Sequence, residues 1–120
     1  MAQGFKLQDT TPVGRIQING SINAHADGDL CYEQGYYGIA EGDVDVGGSF
    51  RLSIRCVYNM LVPGGTLVGA PLYGPSKPAT AIVLTAVAGG GNILLGMVKT
   101  ALDANNYADF HLMPDNSMGR

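Results

Sequence analysis

The chain has 120 residues, 46% of them hydrophobic and 14% charged, with seven Lys/Arg against ten Asp/Glu and a formal net charge of −3. That length makes one ordinary domain, since two would each fall below the roughly 70–80 residues that a comfortable single core needs, and the apolar content excludes a chain that stays solvated and disordered. Lys6, Arg15, Arg51, Arg55, Lys77, Lys99 and Arg120 are scattered along an acidic sequence, which excludes the basic stripe of a nucleic-acid binder.

In chain order, Met1 to Lys6 holds no apolar stretch of the secretory kind. Residues 1–20 carry few apolar side chains and a Thr10-Thr11-Pro12 break, so an extended N-terminal arm is expected, with a short strand over Gly14 to Ile18. Turn-forming clusters then recur every eight to twelve residues or so: Asp27-Gly28-Asp29, Glu41-Gly42-Asp43, Gly47-Gly48, Pro63-Gly64-Gly65, Pro75 to Pro78, Gly89 to Asn92, and Asn105-Asn106. That rhythm predicts an all-β domain over 21–114, a small β-barrel or jelly-roll-like fold, followed by a frayed tail over 115–120.

Leu30-Cys31-Tyr32 and Tyr36 to Ala40 read as paired strands around Glu33-Gln34-Gly35. Ser49 to Tyr58 reads as one strand: Phe50, Leu52, Ile54, Cys56 and Tyr58 share one face, and Ser49, Arg51, Ser53 and Arg55 the other. Further strands are predicted at Thr66 to Val68, Pro71 to Tyr73 and Ala108 to Met113. From Ala79 to Val98 no residue is charged, about the length of a membrane-spanning helix. Gly89-Gly90-Gly91-Asn92 breaks that run at its centre between β-branched segments, so two buried strands joined as a hairpin are expected, and no membrane partner.

Candidate chemistry is sparse. Cys31 and Cys56 fit two buried thiols better than a disulfide framework. His25 and His111 are the only histidines, and neither lies in a nucleophile elbow. Both are expected on the surface, His111 opposite the Phe110/Leu112 face of its strand. No zinc-like spacing is present, and Glu41 to Gly47 lacks the ligand pattern of an EF-hand, so it reads as a charged hairpin turn. Gly89 to Gly91 has no following Lys and is no phosphate cradle. The sequence therefore predicts a non-enzyme with no cofactor and no metal.

The middle of the chain follows an ordered pattern: Asp27-Gly28-Asp29-Leu30, Gly35 to Ala40, Val46-Gly47-Gly48-Ser49-Phe50-Arg51-Leu52-Ser53-Ile54, Val57 to Met60, Gly69-Ala70-Pro71-Leu72-Tyr73, Leu95 to Val98, and the final strand Ala108 to Met113. This order resembles the small capsid decoration, or cement, proteins of tailed bacteriophages (the DUF2190-like group) over roughly residues 27–113. The chain departs from the pattern at Met60-Leu61-Val62-Pro63-Gly64, where many members carry a Lys after a Pro, and its segment before Asn19 is longer. The resemblance implies a protein made in the bacterial host cytoplasm that binds the outer surface of an assembled head. It implies the major capsid protein and further copies of the same chain, as a homotrimer, as partners. Phe5, Leu7 and Ile16 as apolar anchors, with Lys6 and Arg15 as charged contacts, are the expected shell-contacting residues. Two rival readings are a carbohydrate-binding β module stacking sugars on Tyr36, Tyr37 and Tyr73, and a head-fibre or tail component.

Overall fold

A computed structural model describes residues 14–114. Eight strands carry the fold: β1 Arg15–Ile18, β2 Leu30–Glu33, β3 Tyr36–Glu41, β4 Phe50–Ser53, β5 Cys56–Leu61, β6 Pro71–Gly74, β7 Ile93–Val98 and β8 Tyr107–Leu112. They form two four-stranded antiparallel sheets, ordered β1-β4-β3-β2 and β5-β8-β7-β6. The chain is all-β, as its turn rhythm predicts. The sheets do not close into a barrel: β1 and β2 end one, β5 and β6 the other.

The β2–β3 hairpin turns through Gln34 and Gly35, both at positive φ (52° and 92°), the backbone that a tight two-residue hairpin demands and that glycine adopts without strain. Glu33 pairs with Tyr36 and Leu30 with Ile39. β3 then pairs with β4, and β4 with β1.

The expected single strand over Ser49 to Tyr58 is two strands. β4 ends at Ser53 in the first sheet, and β5 begins at Cys56 in the second. The apolar alternation persists across the step but feeds two cores. Phe50 and Leu52 pack with Ile18, Cys31, Ala40 and Val44, whereas Cys56 packs with Leu72, Leu95, Phe110 and Leu112. The larger core lies between the sheets, where Leu30, Tyr37 and Ile39 face the second sheet. The smaller core covers the other face of the first sheet. Ser53, expected on the solvent side, is buried, and its hydroxyl donates to the Glu41 carboxylate, which also takes the Arg15 guanidinium at 3.0 Å.

Two further expectations are corrected. Thr66 to Val68 is a turn region, tied by Thr66 Oγ1 to the Pro63 carbonyl. Residues 82–98 do not form a hairpin, because only the second half, β7, is a ladder strand, and it pairs with β6 and β8. The first half runs along the free edge of β6, where Thr85 and Tyr73 exchange backbone hydrogen bonds of 2.9 and 2.8 Å. Ile82 and Leu84 point into the core, and Val83 and Val87 point out. β6 carries a register shift between Leu72 and Tyr73, which leaves Leu95 and Gly96 both buried on β7. Gly96 is required there, since a Cβ would press on the His111 carbonyl oxygen and sit 2.8 Å from Phe110 Cζ.

Candidate interaction surface

The described residues hold no group of three or more His, Cys, Asp or Glu placed to bind a metal, and no helix long and apolar enough to cross a membrane. What the structure does present is one weakly charged face. Register puts Val57, His111, Met97 and Pro71 in one row across the outside of the second sheet. Asn59 with Asp109 and Leu61 with Tyr107 occupy the neighbouring rows. At the β6 end, Leu94, Tyr73 and Thr85 form a further row. Leu61 (51% exposed), Leu94 (53%) and Val83 (77%) stand in solvent on this sheet and its edge segment, and Leu67 (75%) stands on the 62–70 loop. The first sheet carries a charged group instead, on the β1 side of the face that holds Ile39. It sets Arg15, Gln17, Glu41 and Arg51 in register.

Exposed apolar side chains on loops beside a sheet face are the raw material of an interface, because their removal from water drives association. The uncharged stretch from Ala79 to Val98 supplies exposed Leu94 to β7, exposed Val87 to the segment before it, and exposed Val83 to a cleft shared with Leu61 at the β5 end. An open cleft of about 430 Å³ lined by Val57, Tyr58, Asn59 and Asp109 lies at the sheet's β5 margin. Burial raises the Tyr58 hydroxyl above its ordinary pKa, with Asp27, Cys56 and Glu41 adding to the effect.

The sequence-predicted contact residues are divided. Phe5, Lys6 and Leu7 lie outside the described residues. Arg15 and Ile16 sit in β1, Arg15 paired with Glu41 and Ile16 half-buried against the smaller core. The tyrosines do not form one platform. Tyr37 is 1% exposed, with its ring 4.7 Å from that of Tyr32 and its hydroxyl accepting from the Lys77 N–H at 2.8 Å. It cannot stack on a sugar beside Tyr36, which points to the other face of β3. Cys31 and Cys56 are both buried and form no disulfide. Burial, with the charges of Glu33 and Asp29 nearby, pushes the Cys31 thiol up to about 12.

His25 is the clearest departure from expectation. It is buried, bridged to Val44 through the backbone, and its Nε2 donates to the Glu33 carboxylate at 2.8 Å. Glu33 also accepts the Ile22 and Asn23 N–H groups at 2.9 Å each. Burial alone would raise the Glu33 carboxyl. The Ile22 N–H, His25, the Asn23 N–H and Ser21 outweigh it and hold the group below the usual carboxylate range. The pair pins the 19–26 segment over the smaller core, with the His25 ring 5.6 Å from that of Phe50. A sequence clue existed: Glu33 shares the inward parity of Cys31, and a carboxylate on an apolar face requires a partner. His111 stands half-exposed on the outer face, opposite Phe110 and Leu112 as predicted.

No family model, curated protein or solved structure matches the chain.

Proposed function

We propose that this chain is a capsid decoration protein, which binds the outer surface of an assembled phage head and clamps neighbouring subunits. The observation that carries the reading is the number of large apolar side chains left in solvent on the second sheet and the loops around it, Leu61, Leu67, Val83 and Leu94 among them. The order of glycine turns and strands over residues 27–113, which resembles that protein group, supports it. The partners are the major capsid protein and two further copies of the chain.

The mechanism is linkage. A ligand that binds the assembled lattice, and not its separated subunits, stabilises the lattice by mass action. A face divided between two neighbouring subunits gives each of them less than the roughly 800 Å² per partner of a standard interface, so a single copy binds each subunit weakly. Three linked copies see one another's sites at about millimolar effective concentration, which raises avidity by roughly 10²–10⁴. Phe5, Lys6 and Leu7 add contacts from the N-terminal segment.

The test is co-sedimentation of the purified chain with assembled heads. Removing residues 2–12 spares β1 and its pairing with β4, so the truncated protein keeps its fold and loses most of its binding. Replacing Leu67 and Val83 together with Asp weakens binding at least tenfold. A chain that stays in the supernatant with intact heads at every concentration overturns the reading, and so does full decoration by both variants.

A further inference from the structure

Four strand edges end the two sheets, and three of them are protected. β1 is four residues long and carries Arg15. The edge of β2 is met by the Ile82 N–H, which donates to the Leu30 carbonyl at 2.7 Å. The edge of β6 is closed by the paired Tyr73 and Thr85 bonds. The fourth, β5, runs six residues, Cys-Val-Tyr-Asn-Met-Leu, without a charge, a proline or a glycine. Natural sheets guard long free edges with those very devices.

The ladder fixes which backbone groups of β5 face outward. Val62 N–H donates to the Asn106 carbonyl, and on β8's other side Lys99 N–H donates to the Asp109 carbonyl and Met113 N–H to the Leu95 carbonyl. Hydrogen-bonded pairs alternate along an antiparallel ladder, so Cys56, Tyr58 and Met60 bond to β8 while Val57, Asn59 and Leu61 turn their N–H and C=O groups away. Among the described residues none of those three has a backbone partner on that side.

We propose that β5 is a homotypic docking edge, at which two copies of the chain join β5 to β5 antiparallel across a two-fold axis through Asn59. The outward triad is self-complementary under that operation. Val57 meets Leu61 of the other copy at both ends, and Asn59 meets Asn59 at the centre, giving one continuous eight-stranded sheet. An isologous contact sets each residue against its own kind or its mirror partner, so a charge at position 59 would meet itself and one at 57 or 61 would be pressed against an apolar side chain. β5 has none. The nearest carboxylate, Asp109, lies one strand in on each copy. Three strand spacings, about 14 Å, then separate the two carboxylates, beyond the roughly 8 Å screening length at physiological salt. Beside this edge lies a mixed cleft of about 290 Å³, to which Leu61 and Val83 bring exposed apolar side chains and Asp29 a carboxylate.

This contact is two-fold and does not depend on the decoration reading. If three copies already associate elsewhere, it joins one trimer to another. Cysteine placement tests it on the pure chain, without any particle. Asn59 stands about 5.5 Å from its own counterpart, Cα to Cα, within reach of a disulfide, whereas Val57 and Leu61 each lie about 14 Å from theirs. Asn59→Cys therefore oxidises to a covalent dimer on a denaturing gel, and Val57→Cys and Leu61→Cys each remain single chains. The double variant of Val57 and Leu61 to Cys crosslinks again. In sedimentation the unmodified chain runs as an even number of 12.5 kDa units, and Asn59→Lys halves that number. Equal crosslinking at all three positions, none at Asn59→Cys, an odd number of chains, or a mass unmoved by Asn59→Lys would each overturn the proposal. Circular dichroism of each variant confirms that it folds, which these half-exposed and exposed positions permit.

Discussion

Glu33→Gln isolates the buried pair that holds the 19–26 segment. In the folded chain the carboxylate accepts three hydrogen bonds: Ile22 N–H on one oxygen, and Asn23 N–H with His25 Nε2 on the other. Glutamine keeps one acceptor oxygen. At best its amide displaces the Ile22 bond and turns an N–H toward an N–H, while the two remaining bonds lose their ionic partner. A bond to a charged group contributes about 1.5–3 kcal/mol and a neutral one about 0.5–1.5. Allowing for the easier burial of a neutral amide, the net loss is about 3 kcal/mol. At roughly 4–8 °C per kcal/mol for a domain of this size, Tm falls on the order of 15 °C at pH 7. The pH dependence follows from the direction of the Glu33 shift. Its folded value lies below the ordinary 4.5, so the unfolded chain takes up the proton first. The stabilisation is complete above that ordinary value and disappears as pH falls through the lower folded one. Urea titrations followed by tyrosine fluorescence, run from pH 7 to pH 2.5, therefore show the two proteins far apart at neutrality and converging in acid. A gap that is absent at pH 7, or that stays constant down to pH 2.5, would refute this account of the pair.

Three further outcomes are expected. Gly96→Ala forces a methyl into the His111 backbone and the Phe110 ring, and costs more than about 4 kcal/mol, read as loss of soluble, folded protein or of its cooperative unfolding transition. Leu72→Ala, a fully buried side chain of the inter-sheet core, costs about 2–5 kcal/mol in urea unfolding, whereas Arg15→Ala, which breaks a partly exposed pair, costs about 1 kcal/mol or less. Cys31 and Cys56 label with a thiol reagent at pH 8 only after denaturant is added, because both are buried and the Cys31 thiol is protonated far above that pH.

The strands that stand between clear turns were legible. Gln34-Gly35 announces the β2–β3 hairpin, and the alternation of Ala108 to Leu112 places Phe110 inward and His111 outward. Alternation failed at Ile54, because parity continues through Arg55 while the chain changes sheets. Periodicity reports which way a side chain points, and not which core receives it. The glycine run at 89–92 marks a reversal, yet the 82–87 segment only bridges β6, at Thr85, and leaves β7 to β6 and β8, with Ile82 and Leu84 buried in the core. His25 was hidden for a similar reason. Its partner Glu33 is eight residues away across a loop, and only the odd placement of an acid among apolar neighbours pointed to it. The exposed apolar side chains were half legible: the uncharged stretch was visible, but that Leu94 stays outside while Leu95 and Gly96 are both buried depends on the register shift at Leu72/Tyr73.

The step from Ser53 to Cys56 acts as a taut tether. Three Cα-to-Cα steps reach at most about 11 Å, scarcely more than the roughly 10 Å that separates stacked sheets. With so little slack, the layers cannot be drawn apart at this corner unless a strand first unravels. A load applied at this corner to either layer is handed to the other through two residues. Lengthening that tether by a few glycines would shift the load at this corner onto the packed side chains between the layers.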